Sequence, residues 1–184
     1  MLHFLKKNPV FFFLLKALSL YVAWYLIYEL WLHPLGYIDG IVIDNLIKSG
    51  EFIISGLGYT LIPEPDPKWA IRTLGIDGTH GIWIGDPCNG ITLFALFAGF
   101  VLAYPGPLKR KLWFIPLGLV PIHIINILRI VALVFITLFA PNYLEFKHTY
   151  TFNIIVYSYV FLLWMIWANK LSIQSKLPNN LQSA

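Results

Sequence analysis

Long runs of apolar residues, separated by short polar segments, dominate this chain. The runs cover about residues 9–32, 88–104, 112–140 and 149–168. About 20 apolar residues in a helix, each rising 1.5 Å, cross the ~30 Å hydrocarbon core of a bilayer. The pattern therefore predicts an all-α polytopic membrane protein with about four transmembrane helices, built as a single membrane domain over 1–184.

The segment 33–87 differs in character from the apolar runs. It is rich in Gly and Pro and holds seven of the nine acidic residues. Within it, 41–62 mixes apolar residues with Asp44, Lys48 and Glu51, whose spacing of four and three puts them on one helical face. We predict an amphipathic helix here, lying on the membrane. Turns with short strands are predicted for the rest of the segment, because Pro and Gly recur there.

Composition supports a protein whose solvent is largely lipid. Hydrophobic residues make up 58% of the chain and charged residues 12%, and the mean hydropathy is +0.71. Such a balance is not that of a soluble domain. The net charge of +4 does not indicate nucleic-acid binding, because the basic residues form small clusters beside apolar runs, without a stripe of Lys and Arg interleaved with aromatics.

The positions of the basic residues predict the orientation. With the N-terminus in the cytoplasm, the basic clusters of the termini and of the turn after the second run all fall inside, as the positive-inside rule requires. They are Lys6, Lys7, Lys109, Arg110, Lys111, Lys170 and Lys176. The acidic residues all fall at or beyond the outer half. We therefore predict that both termini are cytoplasmic and that 33–87 is extracytoplasmic.

Three groups able to do chemistry lie at similar predicted heights. Counting about 1.5 Å per residue from the cytoplasmic ends of their helices puts Cys88 about 24 Å up, Arg129 about 27 Å up and His148 about 33 Å up. All three therefore lie near the outer boundary of a ~30 Å core. The sequence does not show whether they face one another.

Arg129 is the sharpest candidate of the three. A charged side chain inside an apolar run is costly, so its presence is a functional-site hypothesis by default. Asn126, three residues earlier, is placed to hydrogen-bond to Arg129 or to orient it. The alternative is a structural arginine paired with an acidic residue such as Glu29 or Asp86.

Cys88 is the only cysteine, so it serves packing or chemistry and forms no intrachain disulfide. It stands in GDPCNGI, just before a predicted helix, where the helix dipole and a nearby cation would favour a thiolate. Gly90 would let the backbone come close to a substrate. The alternative is a cysteine that only packs.

His148 is placed to carry protons near neutral pH, and its alternative is an ordinary interfacial histidine. Other histidines compete for the role: His3 lies on the opposite side, His33 and His80 are not adjacent to a motif, and His123 lies about six residues deeper than Arg129. The spacing of Cys and His fits no zinc site, and we expect no metal or cofactor.

Three short motifs follow one another along the chain: Cys88-Asn89-Gly90, Asn126-Ile127-Leu128-Arg129 and His148. In order, spacing and topology they resemble the signatures of the exosortase/archaeosortase family, in particular its compact members in bacteria of the Bacteroidetes type. The resemblance covers roughly residues 83–168. One departure is Asn89, since Ser or Thr is commoner after the cysteine in the family, and this bears on substrate preference.

The resemblance implies a membrane cysteine peptidase or transpeptidase of the bacterial cytoplasmic membrane. Its substrates would be exported proteins with a C-terminal sorting signal made of a short motif, an apolar helix and a basic tail. Cys88 would be the nucleophile, Arg129 the oxyanion stabiliser and His148 the proton carrier, supported by Asn89, Gly90 and Asn126. The main alternative is a non-enzymatic membrane subunit of a protein or polysaccharide export system. A small transporter with Arg129 as an anion site is a weaker one, since no inverted repeat is present.

Overall fold

The structure is a computed structural model that describes residues 9–63, 72–144 and 151–172. Helices dominate it, with one small β-hairpin. The helices are α1 (Pro9–Ile27), α2 (Tyr37–Gly56), α3 (Ile91–Ala103), α4 (Leu108–Phe139) and α5 (Phe152–Ile166), and the strands are β1 (Thr73–Leu74) and β2 (Ile82–Trp83). The prediction of an all-α membrane protein is confirmed in this coarse form.

Helix α1 continues beyond its regular part and then turns sharply. A π-helical turn, Tyr28–Leu32, and a last α-helical turn, His33–Leu35, extend it. Gly36 then takes a left-handed conformation with φ of 62°, which glycine adopts without the steric cost of a Cβ. The chain thereby leaves α1 and enters α2 within a single residue.

Three helices of the described chain are long and apolar enough to cross a membrane: Val10–Leu35, Leu108–Phe139 and Phe152–Leu171. The predicted span at 88–104 is shorter than expected, since α3 has 13 residues. At 1.5 Å per residue it rises about 20 Å, less than the ~30 Å of a hydrocarbon core. The chain before α3 is instead a 3₁₀ turn, Asp86–Cys88.

Helix α4 runs unbroken for 32 residues, through Pro116 and Pro121. The sequence predicted one span over about 112–140, and neither proline ends the helix that the structure shows there. Neighbouring helices and local adjustments in membrane proteins satisfy the backbone groups that a proline frees. At about 48 Å, α4 is longer than a bilayer core is thick, and its last ten residues continue as helix beyond Arg129.

Helix α2 and the β-hairpin cover this last part of α4. We call their shared core the outer cluster, after the side of the membrane predicted for it from the sequence. It comprises Ile43, Leu46, Ile54, Leu74, Ile76, Ile84, Ile130, Val131 and Val134. Strand β1 pairs antiparallel with β2, as the prediction of turns with short strands required. The predicted amphipathic helix is also present, but it begins earlier than 41 and ends before 62. Its apolar face packs on protein, where we had expected it to lie on the membrane.

A second core lies at the other end of α4. This inner cluster comprises Phe97, Val101, Phe114, Ile122, Val160, Leu163 and Trp167, contributed by α3, α4 and α5 with the turn after α5. Lys111 Nζ donates to the carbonyls of Leu102 and Tyr104, and Arg110 Nη1 donates to the carbonyl of Leu171. The basic turn therefore joins the ends of three helices at one pole of the molecule.

Candidate functional site

The site is built around the turn that carries Cys88. The peptide N–H of Cys88 donates to the carbonyl of Gly85 at 2.9 Å, which closes the 3₁₀ turn Asp86–Cys88. Cys88 is half-buried and lines a pocket of about 520 Å³. The β-hairpin, the outer part of α4 and the chain just after α4 supply the other walls.

Arg129 lines the same pocket from α4. It is 9% exposed, so its long side chain is held largely within the protein. The fold brings Cys88 and Arg129 to one cavity. Their predicted heights in the membrane stay predictions. Their predicted chemical roles are not tested by this placement.

Asn126 connects α4 to the Cys88 turn. Its side-chain Nδ2 donates to the backbone carbonyl of Cys88 at 2.9 Å. The sequence suggested Asn126 as a group that orients Arg129. In the structure the Asn126 side chain instead bonds the backbone of Cys88, because α4 passes beside the start of α3.

Gly90 and Asn89 fix the entry to α3. Gly90 has a φ of 80°, and a Cβ on it would lie 3.1 Å from Asn126 Nδ2. The positive φ favours glycine, and a Cβ would also press on Asn126. This reason differs from the predicted approach of a substrate. Asn89 is 2% exposed, and its Oδ1 accepts from the peptide N–H of Ile91 at 2.8 Å.

Asp39 is the polar residue that the sequence analysis missed. It is 1% exposed and accepts hydrogen bonds at Oδ1 from Asn89 Nδ2 and, at 2.6 Å, from the hydroxyl of Tyr28. His33 Nδ1 lies 3.5 Å from Asp39 Oδ2 and 3.9 Å from Asp86 Oδ2. A signal was present, since the buried face of α2 repeats at 39, 43, 46, 50 and 54. An acidic residue on this otherwise apolar face marks a buried polar site.

His148 lies outside the described residues, so its predicted role stays a prediction. The chain leading to it does border the pocket, through Pro141, Asn142 and Leu144. His123 does not line this pocket, and its Nε2 lies 2.8 Å from Asn45 Oδ1. Within the described ranges, no group of three or more His, Cys, Asp or Glu residues is placed to hold a metal ion.

Comparison with known proteins gives one relative. No family model matches the chain, and no solved structure does. Archaeosortase A of Haloferax volcanii is 30% identical to it over 95 residues, which are 49% of this chain and 31% of archaeosortase A. The chain thus spans less than a third of this curated relative. The similarity is distant and partial, and it suggests the exosortase/archaeosortase family, in agreement with the resemblance of the motifs.

Proposed function

We propose that this protein is a membrane cysteine peptidase or transpeptidase that cleaves the C-terminal sorting signal of exported proteins through a thioester. The observation that carries the proposal is the shared pocket of Cys88 and Arg129. A thiol and a guanidinium on one cavity can serve acyl transfer as nucleophile and oxyanion stabiliser. The partial similarity to archaeosortase A supports the same conclusion.

In this mechanism Cys88 acts as a thiolate and attacks the scissile carbonyl of the substrate. Arg129 donates hydrogen bonds to the oxyanion that forms, an interaction that is strongest in a pocket shielded from water. His148 protonates the leaving amine and later deprotonates the incoming nucleophile. Leu144, four residues before His148, lines the pocket, so the connecting chain is short enough to bring the histidine there.

The proposed substrate matches the location of the pocket. Cys88 precedes the short helix α3, and Arg129 lies in the outer part of the long helix α4. A substrate helix embedded in the bilayer beside α4 would present the motif that precedes it at this height. We place the pocket on the extracytoplasmic side of a bacterial cytoplasmic membrane, because the basic pole lies at the other end of the helices.

The test is a processing assay in the native host. Exported proteins that end in an apolar helix and basic residues are followed by pulse–chase in cells with wild-type protein, Cys88→Ala, Arg129→Gln or the control Lys109→Gln. Lys109 is also basic and lies on α4, but it is exposed at the opposite pole. We expect no processing with Cys88→Ala, a loss of about 10²–10³-fold with Arg129→Gln and normal processing with the control.

Immunoblots of the membrane fraction confirm that each variant is present in equal amount. Normal processing by stable Cys88→Ala protein would overturn the enzymatic proposal. A non-enzymatic subunit of an export system, in which Cys88 packs and Arg129 is structural, would then take its place.

A further inference from the structure

A buried carboxylate stands behind the Cys88 turn without lining the pocket. Asp39 lies in the first turn of α2, where the positive end of the helix dipole favours a negative side chain. Burial of a carboxylate is costly unless hydrogen bonds offset it. Tyr28 and Asn89 both donate to Oδ1 of Asp39, which places groups from α1, α2 and the chain before α3 in one network.

The π-helical turn at the end of α1 shapes this network. In a regular α-helix, two residues five apart point about 140° away from each other. Here the peptide N–H of His33 bonds the carbonyl of Tyr28, and this wider turn brings both side chains to the same side. Their ring centroids are 5.5 Å apart, and both side chains reach Asp39. Single π-turns inside α-helices frequently occur at functional sites.

Asn89 transmits the position of Asp39 to the cysteine. Its Nδ2 is held by Asp39, while its Oδ1 accepts from the peptide N–H of Ile91, so the side chain has partners at both ends. Cys88 is the preceding residue in the chain, and its carbonyl is held from the other side by Asn126. The turn that carries the thiol is thus fixed between α2 and α4.

We propose that Asp39 is a positioning residue, which acts through Asn89 to hold the thiol of Cys88 in the direction needed for attack. This inference rests on the proposed function, and it gives α2 a role in the reaction. A displacement of about 1 Å in a reacting group can cost about a hundredfold in rate. Asp39 should therefore matter to catalysis although it touches neither the pocket nor a substrate.

The test compares Asp39→Ala and Asp39→Asn with the control Asp44→Ala, an exposed acidic residue on the same helix. Processing is followed in the host with the exported protein whose cleavage depends on Cys88. We expect Asp39→Ala to slow processing about 10- to 100-fold. Asp39→Asn should stay within about threefold of wild type, because its amide oxygen can replace Oδ1 as the acceptor. Equal losses in the Ala and Asn variants would overturn the proposal.

A double-mutant cycle asks whether Asp39 acts through Asn89. Groups in one hydrogen-bond network give non-additive effects, whereas independent groups give additive ones. We therefore expect Asp39→Ala combined with Asn89→Ala to process no more slowly than Asn89→Ala alone. If the two losses multiply, Asp39 does not act through Asn89 and the proposal fails.

Alkylation of the single thiol supplies a measurement that needs no enzymatic activity. N-ethylmaleimide in native membranes modifies this chain only at Cys88, so the rate reports the state of the turn. We expect alkylation to be about two- to tenfold faster in Asp39→Ala, since a hydrogen bond that holds the turn is lost. Tyr28→Phe, which removes the other donor to Asp39, should act in the same direction and serves if Asp39→Ala does not accumulate. Unchanged alkylation in a stable variant would overturn the positioning role.

The two proposals can fail separately. If wild-type protein processes nothing, the enzymatic proposal fails, and the alkylation rates alone decide whether Asp39 holds the Cys88 turn. If wild-type processing depends on Cys88 but neither alkylation nor processing responds to Asp39→Ala, only the positioning role is overturned.

Discussion

The two ends of the helix bundle are built by different kinds of contact. The inner cluster is apolar and aromatic: Phe100 stacks on Trp164 with ring centroids 4.4 Å apart, and Phe114 packs against Trp167 at 5.2 Å. Near it, the side chains of Lys111 and Arg110 donate hydrogen bonds to backbone carbonyls at helix ends. The outer region combines an aliphatic core with a network of buried polar side chains around Cys88.

The difference in contacts suggests that the inner pole serves mainly the stability of the fold and the outer region mainly its chemistry. The packing at the inner pole buries mainly apolar side chains. The outer network must bury Asp39, Asn89 and Asn126, each of which costs free energy unless it is hydrogen-bonded. Their hydrogen bonds fix the position of the turn that carries Cys88. We therefore expect substitutions at the inner pole to lower stability and substitutions at the outer pole to lower activity.

The largest effect on stability should come from Phe97, which is fully buried in the inner cluster. Phe97→Ala should lower the free energy of unfolding by about 3–5 kcal/mol, because it leaves a cavity among α3, α4 and α5. Thermal unfolding in detergent, followed by circular dichroism, measures the loss. Below the transition, the alkylation rate of Cys88 should equal that of wild type. A changed rate in folded protein would mean that the two ends are coupled.

Gly90→Ala should produce an intermediate effect confined to the outer region. A Cβ at φ of 80° costs about 1–2 kcal/mol and also presses on Asn126, so processing should fall about tenfold. Gly56→Ala is the matched control, since a Cβ at Gly56 meets nothing within 4 Å. The host processing assay compares the two. Equal activity of both variants would argue against a tightly fixed Cys88 turn.

A smaller loss of stability than that of Phe97→Ala should come from Lys111, which is 7% exposed and caps the end of α3. Lys111→Met keeps most of the side-chain volume but leaves two carbonyls without their donor, so unfolding should become easier by about 1–3 kcal/mol. Processing per folded molecule should not change. Lys109→Met, at an exposed position two residues earlier in the chain, is the control for loss of charge. A loss of processing in Lys111→Met but not in Lys109→Met would contradict the view that the inner pole serves only stability.

Much of the fold follows from local pattern. Long apolar runs predicted helices at both ends of the chain and along α4, because lipid requires every backbone group to be bonded within the segment. Helix ends were predicted less well: α3 begins at Ile91, after a 3₁₀ turn, and α4 continues through its prolines. Such details depend on side chains from other helices, as with Asn126, which lies against Gly90.

The sequence singled out two residues that line the pocket, and their roles stay predictions. Cys88 and Arg129 stood out because a lone thiol before a helix and a charge in an apolar run are unusual locally, and the fold places both on one pocket. Asp39 was missed because the helix predicted for this segment began at 41, so its place on the apolar face of α2 was overlooked. Its burial against Tyr28 and Asn89 depends on contacts between residues 11 and 50 positions apart in the chain, which no local pattern shows.

The sequence by itself determined that this is a helical membrane protein and which of its residues are chemically unusual. Both conclusions rest on the cost of placing polar groups in lipid, a property of each residue and its near neighbours. Tertiary structure decided which of those residues meet, which glycine packs against Asn126 and which carboxylate is buried beside Asn89. These depend on distances between helices, and side chains far apart in the chain set those distances by packing.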